Sequence, residues 1–67
     1  MLGMTLHQRL RARREARGLR NSQVARTLGI STAHVSDMES GKSKPSLELL
    51  ARLAELYATS TDYLLGL

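Results

Sequence analysis

The sequence predicts an all-α fold, a compact bundle of five short helices, from three observations. Apolar residues recur three and four positions apart through most of the chain, as on the buried faces of amphipathic helices. β-branched residues are few and nothing alternates with a period of two, so strand signals are missing. Glycines and N-capping serines or threonines interrupt the periodic stretches at short intervals. The 67 residues leave room for one small domain over 1–67. A chain of that size buries only about 60% of its unfolded surface, so its helices must pack economically.

Five elements follow, over about 5–17, 22–28, 32–39, 47–57 and 61–65. Thr5 can cap the first while Gln8 reaches back to complete a capping box, and Gly18 ends it. Leu6, Leu10 and Arg14 share one stripe of that helix, which puts an arginine at the end of the inward face. Arg9, Arg13 and Arg17 form a separate basic stripe. His7 falls in its exposed first turn. Val24, Ala25 and Leu28 give the second helix its apolar edge, with Gly29 in the turn beyond. Ser31 caps the third, whose inward residues are Val35 and Met38, and Gly41 suits the left-handed turn that stops it. A polar loop, Lys42-Ser43-Lys44-Pro45, leads to Ser46, the cap of a fourth helix with Leu47, Leu50, Leu53, Ala54 and Tyr57 as its core face. Ser60 opens the last, with Asp62 near the positive end of the helix dipole.

Charge is uneven along a chain of net +4. In residues 1–20 six arginines oppose only Glu15, whereas residues 45–67 set Arg52 against Glu48, Glu55 and Asp62. Such asymmetry fits a domain with one side turned to a polyanion, and equally a solvated arginine-rich helix. Cysteine is absent, which excludes a disulfide framework and a thiolate zinc site. His7 and His34, dispersed and without cysteine, make a poor metal site, so no metal and no cofactor are expected. No serine sits beside a base-and-orienter pair, so no catalytic constellation is expected either. No apolar run approaches the roughly 18 residues of a membrane span, and the N-terminus lacks a signal-peptide core. These features predict a soluble, cytoplasmic protein with no membrane partner.

Residues 21–40 form a recognisable unit. Ala25 is small where two short helices would cross most closely, and Gly29 stands where positive φ is commonly needed. Val24, Leu28, Ile30, Val35 and Met38 tie both helices to the core. This spacing is what a DNA-binding helix-turn-helix requires, formed by the second and third helices. With Val35 and Met38 inward, Thr32, Ala33, Ser36 and Asp37 turn outward and His34 lies at the margin.

Gly18-Leu19, Val24-Ala25, Leu28-Gly29-Ile30-Ser31, Val35-Ser36, Glu39-Ser40-Gly41-Lys42 and Pro45-Ser46-Leu47-Glu48 together resemble the Cro/C1-type helix-turn-helix domain, the phage-repressor-like or xenobiotic-response-element class. The resemblance covers about residues 5–66. It implies a lambda-repressor-like five-helix fold, double-stranded operator DNA as ligand, a homodimer on that DNA and transcriptional repression. Carried over residue by residue, it makes Thr32, Ala33, Ser36 and Asp37 base-facing. It also implies a partly buried ion pair between Arg14 and Glu39. Phosphate contacts are expected from Arg20, Asn21, Ser31, Lys42, Ser43 and Lys44, and half-sites lie about one helical turn apart, near 34 Å.

The family usually has serine or threonine just before its second helix and glutamine in the first turn; here Arg20 and Asn21 stand there. Arginine cannot cap, so Asn21 is the expected cap and the helix is expected to begin one residue late. Thr61, Tyr63, Leu65 and Leu67 are the dimer candidates, with covering the core or fraying as their ordinary alternative. A different reading of the same fold is a protein-interaction module, an antitoxin or adaptor, and another is the N-terminal piece of a longer regulator.

Overall fold

The computed structural model describes residues 3–67, in which five helices follow one another: α1 (Leu6–Ala16), α2 (Asn21–Leu28), α3 (Thr32–Ser40), α4 (Leu47–Leu56) and α5 (Thr61–Leu65). The all-α expectation holds, with no strand among the described residues. No helix among them is long and apolar enough to cross a membrane.

Side-chain caps set most of the helix starts. The Thr5 backbone N–H donates to Gln8 Oε1 at 2.9 Å and the Gln8 N–H to Thr5 Oγ1 at 3.3 Å, a complete capping box. Ser31, Ser46 and Ser60 accept from the backbone of His34, Leu49 and Tyr63 at 3.0, 3.1 and 3.0 Å. α2 differs from expectation. Its cap position is the extended Arg20, and Asn21 is already helical. Arginine offers no acceptor, but the other half of a capping box survives: the Arg20 N–H donates to Gln23 Oε1 at 2.8 Å. That bond starts the helix one residue before the sequence reading places it and frees the Asn21 carboxamide from capping.

Helix ends follow glycine in two places that matter for the site. Gly29 (φ +71°) ends α2, where the Ile30 N–H returns to Ala25 O at 3.0 Å. Gly41 (φ +85°) ends α3, where the Asp37 carbonyl accepts from Lys42 at 2.9 Å and Ser43 at 3.2 Å. α4 stops without glycine. Ala58 adopts φ +54°, and the Thr59 N–H bonds to Ala54 O at 2.9 Å. Nothing in the residue type signals that stop, and alanine's Cβ is crowded in this conformation.

The core gathers Leu10, Val24, Ala25, Leu28, Val35, Met38, Leu50, Leu53, Ala54, Tyr57 and Leu64. Ala25 is buried where α2 packs on α3, and α3 also packs on α1, so the α2–α3 pair shares the main core. Two side chains depart from the sequence reading. Leu47, assigned to the core face of α4, is 85% exposed. It lies one turn before Leu50 on the right side of the helix, but the bundle does not extend that far, and Leu49 and Leu56 are the added residues that pack on the core. His7, expected in an exposed turn, is half-buried, because its ring lies against Gly41. A Cβ on Gly41 would come within 2.9 Å of that ring, a second reason for glycine there.

One polar contact penetrates this core. Glu39, the only buried charged residue among those described, takes Arg14 Nε at 2.7 Å on Oε2 and Arg14 Nη2 at 3.0 Å on Oε1. Arg14 Nη1 donates to Leu19 O at 2.9 Å. A single guanidinium thus joins α1, the α1–α2 turn and the end of α3. The hydrogen-bonded carboxylate raises the Arg14 pKa above its ordinary value, against burial, which opposes the charge. Arg11 Nε stands 3.5 Å from Glu39 Oε1 on a mostly exposed side chain and adds little. Burial, helped by the negative Glu39, pushes the Tyr57 phenol up to about 12.

Three outcomes test this description. Ala58→Gly relieves the left-handed alanine and raises unfolding free energy by up to about 1 kcal/mol, measured by urea titration. Glu39→Ala strands the Arg14 charge and costs about 3–5 kcal/mol, so a melting curve that overlays the parent's would refute the ion-pair role. In the folded chain Tyr57 holds its proton more tightly than an unfolded tyrosine does. Stability is therefore intact below the ordinary tyrosine pKa of about 10 and is lost as pH rises toward about 12. Tyr57→Phe should remove much of that alkaline loss in thermal melts run at stepped pH.

Candidate nucleic-acid interface

α3 has two unlike faces. Val35, Met38 and Glu39 are buried against α1 and α2, which fixes the helix's rotation about its own axis. Thr32, Ala33 and Ser36 are exposed on the other side, and Asp37 and His34 are half-buried at its margins. Of the four base-facing candidates, three therefore share an open face and Asp37 stands beside it. The side chains on this face are small, so it can approach a partner surface closely. Its chemistry consists of two hydroxyls, a methyl and, at the edge, a carboxylate.

Around α3 lie the expected flanking groups, not all of them available. Arg20, Ser31, Lys42 and Lys44 are exposed. Ser31 presents the open end of α3, where the first backbone N–H groups have no intrahelical acceptor and favour an anion. Ser43 differs from the sequence reading. Its hydroxyl is buried without a hydrogen-bond partner, beside Leu6, His7, Met38 and Pro45, and its backbone N–H is bonded to Asp37 O. The two lysines on either side point outward because the Gly41 turn folds the intervening serine under the loop. Asn21 is half-buried, and its Nδ2 donates to Ser36 Oγ at 3.2 Å, a contact between α2 and α3 that the sequence reading missed. Spacing along one helix carries no signal for it.

The arginines of α1 do not act as one basic face. Arg13 Nη2 donates to Tyr57 O at 2.9 Å, at the end of α4, and Arg14 is held by Glu39. Arg9 lies over the Tyr63 ring at 6.0 Å. In α4, Arg52 Nη1 donates to Leu28 O at 3.2 Å. Four of the ten lysines and arginines are thus engaged within the fold, and Arg20, Lys42 and Lys44 are exposed cations next to the ends of α2 and α3.

Tyr63, Leu65 and Leu67 of the α5 end are 41%, 46% and 87% exposed, and Thr61 is half-buried. Leu64 between them, which the sequence reading did not single out, is fully buried and anchors the segment.

Comparison with known proteins agrees with this geometry. Residues 10–64 match the helix-turn-helix family. The HTH-type transcriptional regulator DdrOP3 of Deinococcus deserti is 44% identical over 62 residues, 92% of this chain and 48% of that protein. The HTH-type transcriptional regulator ImmR of Bacillus subtilis is 36% identical over 63 residues, 94% of this chain and 50% of that one. The chain spans about half the length of the curated relatives it matches. Among solved structures, the P22 c2 repressor in complex with a synthetic operator superposes with a TM-score of 0.87 at 30% identity, over 94% of this chain and 96% of that one. A transcriptional regulator from Listeria innocua superposes with a TM-score of 0.86 at 33% identity, over 98% and 62% of the two chains. With the sequence match over most of its length and the same five-helix frame, this chain belongs to the Cro/C1-type helix-turn-helix family.

Proposed function

We propose that the chain is a sequence-specific DNA-binding transcriptional regulator, a repressor, that lays α3 in the major groove of a two-fold-related operator. The supporting observation is the juxtaposition around α3: a helix locked on its inner side, open along Thr32, Ala33 and Ser36, and bordered by Arg20, Lys42 and Lys44. The major groove, about 12 Å wide, admits such a helix and displays the donors and acceptors that hydroxyls can read. The P22 c2 repressor, built on the same frame, has been solved on an operator.

In this reading Thr32 and Ser36 bond base edges, Ala33 meets a thymine methyl, and Asp37 accepts from a cytosine amino group. Arg20, Lys42, Lys44 and the open end of α3 at Ser31 bind phosphates, which orients the domain without reading sequence. The readers are short, so DNA shape and half-site spacing contribute to specificity. A homodimer formed through Tyr63, Leu65 and Leu67, with Thr61 at the edge, covers the exposed apolar end and places two copies of α3 on successive major grooves. The site of action follows from the ligand: the cytoplasm, where the DNA is.

Binding to a mixed-sequence duplex, measured against salt, tests the reading. Affinity should fall with a log–log slope of about −0.9 for each phosphate neutralised, and Lys42→Ala and Lys44→Ala should each flatten that slope by about one contact. Thr32→Ala should leave the slope alone and relax discrimination at one base pair by about 1–3 kcal/mol at most. A parent chain whose duplex binding is absent or indifferent to salt would overturn the proposal.

A further inference from the structure

We infer that Asn21 is a positioning residue for base recognition: its carboxamide holds the Ser36 hydroxyl as an acceptor, so that Ser36 presents its hydrogen to the DNA. This rests on the docking of α3 proposed above and specifies what one of its readers recognises. The two residues are fifteen positions apart, on different helices, and meet at the open face of α3. Asn21 Nδ2 donates to Ser36 Oγ at 3.2 Å, while Asn21 Oδ1 is buried without a partner.

The direction of this bond follows from donor and acceptor counts. A carboxamide has two N–H donors on one side and a carbonyl acceptor on the other. With the nitrogen toward Ser36, one buried acceptor is left alone. With the carbonyl toward Ser36, the amino group and both its hydrogens would be buried instead, a larger loss. The nitrogen therefore faces Ser36. Ser36 makes no hydrogen bond of its own to the backbone, unlike Thr27, which donates to Gln23 O at 2.9 Å, and Ser40, which donates to Asp37 O at 3.2 Å. With one lone pair occupied by Asn21, the Ser36 O–H is left to point outward from an exposed position.

An unrestrained serine reads either kind of base edge, because its hydroxyl rotates to suit. A serine held by Asn21 reads as a donor. Its partners in the major groove are acceptors: the N7 of either purine, guanine O6 or thymine O4, and not the amino groups of cytosine or adenine. Asn21 thereby gives a short, adaptable side chain a fixed polarity. This role differs from the phosphate contact that the sequence suggests for Asn21, and the two are separable.

The test begins with sites selected by the parent chain from random duplexes. The base pair whose preference Ser36→Ala relaxes is the position Ser36 faces. Duplexes are then made in which each major-groove acceptor and each amino donor of that pair is removed singly with base analogues. For the parent, removing one acceptor should weaken binding about fivefold, the value of one net hydrogen bond, and removing an amino group should not. Asn21→Ala should shrink that penalty, leave the salt slope unchanged, and add nothing in combination with Ser36→Ala. Asn21→Asp, nearly isosteric but able only to accept, should turn the Ser36 hydrogen inward and transfer the penalty from acceptor removal to donor removal; it also serves should the alanine variant fail to fold. A parent penalty on donor removal, or an Asn21→Ala variant with a flatter salt slope and intact discrimination, would overturn the inference. Binding in those cases still supports the docking proposal, whereas a parent chain that selects no site overturns both.

Discussion

The ion pair between Arg14 and Glu39 is the contact on which the placement of α3 depends. Glu39 is almost wholly buried, and a charge there is tolerable only because both carboxylate oxygens meet one guanidinium. A planar fork has one good way to meet a carboxylate, so the bond specifies orientation more than it adds stability. Because the same guanidinium also holds Leu19 O, the angle of α1, the path into α2 and the end of α3 are set together. The apolar contacts of Val35 and Met38 have no preferred direction. The ion pair has one, and it adds to their burial in setting the direction in which Thr32, Ala33 and Ser36 face.

Part of the positive charge in this molecule also holds the fold together. Arg13, Arg14 and Arg52 each donate to a carbonyl or carboxylate on another element, and Arg9 covers Tyr63. Committed in this way, these arginines are less free to reach a partner than the exposed Arg20, Lys42 and Lys44 near α3. A small core, eleven buried apolar residues among those described, gains from this arrangement, since arginine stems cover apolar surface while their heads satisfy helix-terminal carbonyls.

Much of the fold was legible in the sequence because its signals are local. Caps at Thr5, Ser31, Ser46 and Ser60 and stops at Gly29 and Gly41 are decided within a few residues, and the Ala25–Gly29–Val35–Met38 spacing brings with it the geometry of two packed helices. What escaped depends on neighbours distant in sequence. Leu47 has the right phase for the core, but phase does not say where the bundle ends. Ser43 looks like a loop hydroxyl until the Gly41 turn folds it under. Asn21 looks like a cap, and the competing bond from Arg20 to Gln23 became visible only in the structure. Ala58 carries no residue-type signal for a left-handed turn at all. For the interface, residue types and helical phase indicated which face of α3 is open, whereas the contact between Asn21 and Ser36 required two helices to be set against each other first.

In the proposed docking, the open face of α3 with its flanking lysines is the surface that meets duplex DNA. Amide chemical-shift mapping during titration with a duplex selected by the protein tests it most directly. The expected result is large, saturable changes at Thr32, Ala33, Ser36, Lys42 and Lys44, with the amides of Leu50, Leu53 and Ala54 nearly still. Changes confined to α4 and α5, with residues 31–44 unperturbed, would contradict it.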